Sequence, residues 1–258
     1  ATEYAEKVAL ILRDLNLAPT EDRDAGETLA YGSILALERM RSPLGFAPLF
    51  FASEGWYSRR VREQAERSLP LVLDDPTDAV VEIIEKESLA RKIRAFELLM
   101  RSKATGENKI RTAAMALSRG ISLSPRNRAE ESLLSALRVR SMNALVSQGD
   151  RSGNSAADFN EAYRIGSLDE KLIALRAMGA TRSVASAHFL RDIIINLDNV
   201  HRRGLVDNDR ETLMRAALQN AAMNANKELA PALQAVSLNQ GWSGSILNLA
   251  ATAQRSLQ

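Results

Sequence analysis

The 258-residue chain contains no cysteine, which removes disulfide frameworks, thiolate metal sites and thiol nucleophiles. That absence suits a periplasmic and a cytosolic protein equally and leaves the compartment open. Aromatic residues are scarce at 5%, and only seven prolines and thirteen glycines punctuate the chain. Few aromatics and little apolar–polar alternation argue against an antiparallel sheet, while few breakers leave long stretches free to run as helix. No run approaches roughly 18 consecutive apolar residues, so no membrane-spanning helix is expected. The chain opens on Ala1 without an apolar signal stretch, a start that leader removal and trimming explain equally well.

Catalytic motifs are missing as well. There is no phosphate-binding G-x-x-x-x-G-K, no dinucleotide-type glycine spacing and no G-x-S-x-G elbow. The two histidines, His188 and His201, belong to no H-E-x-x-H pattern, so no metal site is expected. His188 and Asp192 stand four apart and read as an ion pair on one helix face. The carboxylate pairs Asp74/Asp75, Glu130/Glu131 and Asp169/Glu170 each fit the first turn of a helix, where acids complement the dipole. No catalytic residue and no cofactor follow from these patterns.

What the chain does contain is alanine, leucine, arginine and glutamate, all good helix formers. Apolar residues recur at helical spacing over 2–15, 25–41, 44–52, 58–73, 77–86, 89–101, 109–119 and 129–148. The pattern resumes over 156–164, 168–178, 184–197, 209–223, 227–237 and 243–257. In the first of these segments Val8, Ile11, Leu12 and Leu15 form the face expected to be buried. Pro43 and Pro76 mark breaks, and Gly204 is placed to cap the helix ending near His201. Trp242 is expected to seal the last pair of helices with Leu238, Ile246 and Leu249. The fold class expected is all-α in one domain over 1–258, with Gly149 to Ser155 as the candidate sub-boundary.

Faint internal similarity recurs. Val61-Arg62-Glu63-Gln64-Ala65-Glu66-Arg67-Ser68-Leu69 and Ile110-Arg111-Thr112-Ala113-Ala114-Met115-Ala116-Leu117 share a hydrophobe–Arg opening followed by small residues. Lys171 to Gly179 follows the same outline more loosely, and Leu73-Asp74-Asp75-Pro76 has the form of a turn between paired helices. On these residues the chain resembles the HEAT-repeat family of armadillo-like α-solenoids. The resemblance implies an α–α superhelix of about five to six helical pairs that stack because no pair buries its apolar stripe alone. It also implies a non-enzymatic scaffold or adaptor that presents a helical-repeat surface to a protein partner.

Candidate anchors for such a partner are Trp56, Tyr57, Arg59, Arg60, Arg91 and Arg94, because aromatics and arginines dominate binding energy at interfaces. A second reading starts from charge. The net charge is only +2, yet 86–128 carries eleven basic residues against Glu87, Glu97 and Glu107. That face would suit sequence-independent binding of nucleic acid. A third reading, a helical enzyme with carboxylates lining an interior cavity, has no marked carboxylate pair behind it. Cytoplasm and periplasm both remain open.

Overall fold

The computed structural model describes residues 2–205 and 207–257; Ala1, Val206 and Gln258 lie outside the described residues. The chain is all-α, about 80% helical, and among the described residues it has fourteen α-helices and no strand. It divides into two compact units, Ala1–Thr112 and Ala113–Gln258. The division falls inside a helix, whereas Gly149 to Ser155 connects two helices within the second unit.

In the first unit α1 (Thr2–Leu17) pairs with α2 (Arg23–Met40), α3 (Phe46–Glu54) with α4 (Arg59–Ser68), and α5 (Thr77–Lys86) with α6 (Leu89–Arg101). Helix α1 packs on α3 and α3 on α5, while α2 packs on α4, so successive pairs lie against one another. Asp22 starts α2 by accepting the Ala25 amide at 3.0 Å. Pro70 explains one shortened element. It lacks an amide proton, so the helix expected over 58–73 stops at Ser68 and tightens into a 3-10 turn, Leu69–Val72.

Helix α7 (Gly106–Ser122) contains the division. The second unit holds α8 (Arg128–Ser147), α9 (Ala156–Ile165), α10 (Leu168–Thr181), α11 (Val184–Arg202), α12 (Asn208–Asn224), α13 (Ala230–Leu238) and α14 (Gly244–Arg255). Helices α8, α10, α12 and α14 contact one another in succession and form one layer, and α9, α11 and α13 form the other. Helices α10 and α12 approach closely at Gly179. A Cβ on Gly179 would lie 2.7 Å from Asn220 Oδ1 and 2.9 Å from the Asn220 carbonyl, so only glycine lets the two backbones come this near. Asn224 Nδ2 then donates to the Met178 carbonyl at 2.9 Å, tying the same two helices.

Two polar clusters sit inside the second unit. Arg138 on α8 is 2% exposed and donates from Nε to Glu170 of α10 at 2.8 Å, itself 3% exposed. Arg138 also donates to the Gly120 carbonyl at 3.1 Å and to Glu131 at 2.9 Å. Burial works to lower the Arg138 pKa, but the hydrogen bonds to Glu170 and Glu131 outweigh it and hold it above its ordinary value. In the second cluster Asp198 Oδ1 accepts from Trp242 Nε1 and Asn239 Nδ2, each at 2.8 Å, and Oδ2 from Arg202 Nε at 2.8 Å. Burial pushes this carboxyl up, yet the Asn239, Arg202 and Trp242 hydrogen bonds prevail and leave it below the usual range.

Trp242 is therefore buried by a hydrogen bond and by stacking on His201 at 3.7 Å between ring centroids. Leu238, expected beside it, is exposed instead. His188 likewise departs from expectation: its Nε2 meets Glu228 at 3.4 Å, and Asp192 pairs with its neighbour Arg191. Residues adjacent in sequence or one turn apart were competing with a carboxylate that the next helical pair brings closer.

Candidate partner-binding surfaces

The six anchor residues all lie in the first unit, but in three different situations. Gly55, Trp56 and Tyr57 form the turn between α3 and α4. Tyr57 is buried, its hydroxyl donates to Asn16 Oδ1 at 2.9 Å, and its ring lies 4.3 Å from that of Trp56. Burial, with the nearby Glu27 carboxylate, raises the Tyr57 pKa above its ordinary value. Trp56 is half-buried and donates from Nε1 to the Leu15 carbonyl at 2.9 Å. Both aromatics thus fasten the end of α1 to the α3–α4 turn.

Arg91 and Arg94 project from α6 and converge on Glu54 at the end of α3. Arg91 donates to Glu54 and to Glu87, each at 2.8 Å. Arg94 bonds Glu54, Glu66 and Ser53 Oγ. Their guanidinium groups also lie over Phe51 and Phe50, at 5.5 and 4.8 Å from the ring centroids. Both side chains are thus committed to carboxylates inside the unit.

Arg59 and Arg60 differ, since both are exposed in the first turn of α4. Arg59 pairs with Glu63 at 2.6 Å. Arg60 lies over the Tyr31 ring at 4.6 Å and lines a shallow cleft of about 330 Å³ with Asp24, Glu27, Thr28 and Tyr31. Of the six, Arg60 alone lines a cleft there.

The basic run over 86–128 is treated similarly within the first unit. Lys86 pairs with Glu82, Lys103 with Asp74, and Lys109 donates to the Ser102 carbonyl at 2.8 Å. Lys92 is buried and donates to the Ile84 carbonyl. Arg101 and Arg111 remain exposed. Charges that look like one basic face in sequence are largely matched locally or turned inward.

A surface absent from the expectations is more distinctive. Along α1, Ala5, Ala9 and Leu12 point inward, whereas Val8 and Ile11, expected in the core, line an open groove against α2. The small Ala5 and Ala9 let α1 sit close to its neighbours, which rotates the larger apolar residues outward. The groove encloses about 610 Å³, and its lining of Val8, Ile11, Ala25, Leu29, Gly32 and Ala36, with Thr28 and Ser33, carries no charge. Ile11 is 42% and Leu29 52% exposed, and Tyr4, one turn before Val8, is 69% exposed. Thr28 belongs both to this groove and to the Arg60 cleft, so the two surfaces are continuous. A signal existed in sequence: α1 carries two adjacent apolar stripes, Ala5–Ala9–Leu12 and Tyr4–Val8–Ile11–Leu15, where a helix with one buried face needs a single stripe.

In the second unit a larger, mixed groove of about 640 Å³ runs over α9, α11 and the starts of α10 and α12. Its walls include Asn160, Tyr163, Lys171, Asn196, Leu197 and Leu213. Burial pushes the Tyr163 hydroxyl up to about 12. Among the described residues no three His, Asp or Glu side chains gather as metal ligands would, and no helix is long and apolar enough to cross a membrane. Compared with known proteins, the chain matches no family model and no curated protein sequence.

Proposed function

We propose that the protein is a non-enzymatic scaffold built from HEAT-like helical pairs, and that its first unit holds an amphipathic helix of a protein partner. The observation behind this reading is the α1–α2 groove. Val8 and Ile11 on one wall belong to the α1 stripe Tyr4–Val8–Ile11–Leu15 and face Ala25, Leu29, Gly32 and Ala36 on the other, both stripes stepping by four, three and four residues. That step averages about 3.7 residues, close to the roughly 3.6 of a helical turn, so each stripe stays on one face of its helix. An apolar helix face laid between the two stripes would find a hydrophobic contact at every turn.

Exposure supports the same reading. Beyond their contacts with α3 and α4, helices α1 and α2 leave Tyr4, Ile11 and Leu29 exposed around Val8, an apolar surface of the kind that partners cover. The HEAT-like reading rests on the succession of antiparallel pairs within each unit and on the small residues at their contacts, such as Ala65, Ala174, Ala177 and Gly179. Arg60, at the adjoining cleft, supplies a charged contact at one end of the groove.

The test is site-specific photocrosslinking in the protein's own cells with benzoylphenylalanine at position 29. A discrete crosslinked protein is expected, and Ile11→Glu should abolish it while the helical circular dichroism stays unchanged. A chain that crosslinks to nothing, or equally well with Glu at position 11, would refute the groove as a partner site.

A further inference from the structure

The mixed groove of the second unit is a separate binding site, and we infer that it takes an extended polypeptide segment carrying an acidic residue opposite Lys171. The site shares no residue with the α1–α2 groove and does not depend on the scaffold reading.

Most of the charged groups in the groove wall are already matched. Arg164 forks onto both oxygens of Glu161 at 2.7 and 2.8 Å. Arg210 donates to the Leu205 carbonyl at 2.6 Å and pairs with Asp207 at 3.1 Å, and Asp192 is paired with Arg191 at 2.9 Å. Lys171 and Asp209 are the two charged groups of the wall that form no ion pair among the described residues, so an acidic residue held at Lys171 leaves Asp209 free to take a basic one. The Lys171 ammonium lies over the Tyr163 ring, 5.9 Å from the centroid, and among the described residues it meets no carboxylate. The ring supports a cation there without neutralising it, which leaves the charge for an incoming anion.

The same walls hold two amide side chains, Asn160 on α9 and Asn196 on α11, that form no hydrogen bond among the described residues. A primary amide donates and accepts at once, which is the complement of a peptide group. Two of them on neighbouring helices can hold successive parts of an extended backbone, while Leu197 and Leu213 give its side chains an apolar floor. Length agrees with this occupant. From α9 across α11 to α12 is two interhelix steps of roughly 9–10 Å, about 20 Å in all, which an extended segment of about six residues spans. A small polar metabolite would leave most of that length empty.

The experiment is selection of random peptides of about seven residues, displayed on phage, against the full chain. Selected sequences are then synthesised and their affinity measured by fluorescence anisotropy. Peptides enriched in Asp or Glu at one position are expected. Their affinity should fall about tenfold with Lys171→Ala, the size of a charge-assisted hydrogen bond, and a few-fold with Asn160→Ala or Asn196→Ala. Changing Lys171→Glu should switch the selected residue from acidic to basic, a reversal that a misfolded variant does not produce. Ile11→Glu should leave the affinity unchanged, which separates this site from the first-unit groove. Recovery of no binding peptide, or of peptides indifferent to all three groove positions, would overturn the assignment.

Discussion

Both units tie their helices together with arginine and glutamate, but at opposite depths. In the first, Arg91 and Arg94 meet Glu54 near the surface, and in the second Arg138 meets Glu170 with both groups almost fully buried. The pairs use the same atoms, and the surroundings decide what each contributes. Water and salt screen the surface cluster, and its worth lies as much in the Arg stems and planes covering Phe50 and Phe51 as in charge. The buried pair is poorly screened, and neither partner tolerates being left alone.

The largest effect should therefore come from Arg138→Ala, which strands Glu170 and should cost about 3–5 kcal/mol in urea unfolding. Adding Glu170→Gln to that variant should recover part of the loss; no recovery would mean that packing, not charge, makes the difference. Asp198→Ala comes next, at about 2–3 kcal/mol, because it orphans the buried Trp242 indole N–H together with the donors of Asn239 and Arg202. Arg94→Ala should cost no more than about 1 kcal/mol, and the deficit should shrink in molar salt. A larger, salt-insensitive loss would erase the contrast between the units.

Acid sharpens the comparison further. Glu170 and Asp198 both have folded-state values below those of the unfolded chain. Below those unfolded values, about 4.3 and 3.9, the unfolded chain binds protons first. The stability these groups contribute is thus present above about pH 4 and is lost as pH falls through the folded values. The acid limb of a thermal-melting profile should flatten in Asp198→Asn. The smallest expected effect is a gain: Gly32→Ala should add about 0.5–1 kcal/mol, since its Cβ meets nothing within 4 Å and the helix interior favours alanine.

Helix content was readable from the chain because propensity and 3.6-residue periodicity agree almost everywhere, as in 77–86 and 89–101, both matched to the residue. Orientation was not. Val8 and Ile11 satisfy the same periodicity whether they face a core or a groove, and only the packing of Ala5 and Ala9 decides between the two. Residue type alone marks the arginine anchors, yet what Arg91 and Arg94 do depends on Glu54, about forty positions away and invisible to any local pattern. Lys171, Asn160 and Asn196 show the converse: nothing beside them in sequence marks them, and the groove exists only once α9, α11 and α12 are assembled.

Glu170 has a second role that carries a consequence for motion. Besides binding Arg138, it closes the reciprocal cap of α10, accepting from the Ser167 amide at 3.3 Å while its own amide donates to Ser167 Oγ at 3.4 Å. Helix ends ordinarily fray on their own, but the first turn of α10 opens only by releasing α8 as well. Its amides should then exchange with solvent at the slow pace of the surrounding core, with Arg138 as the latch.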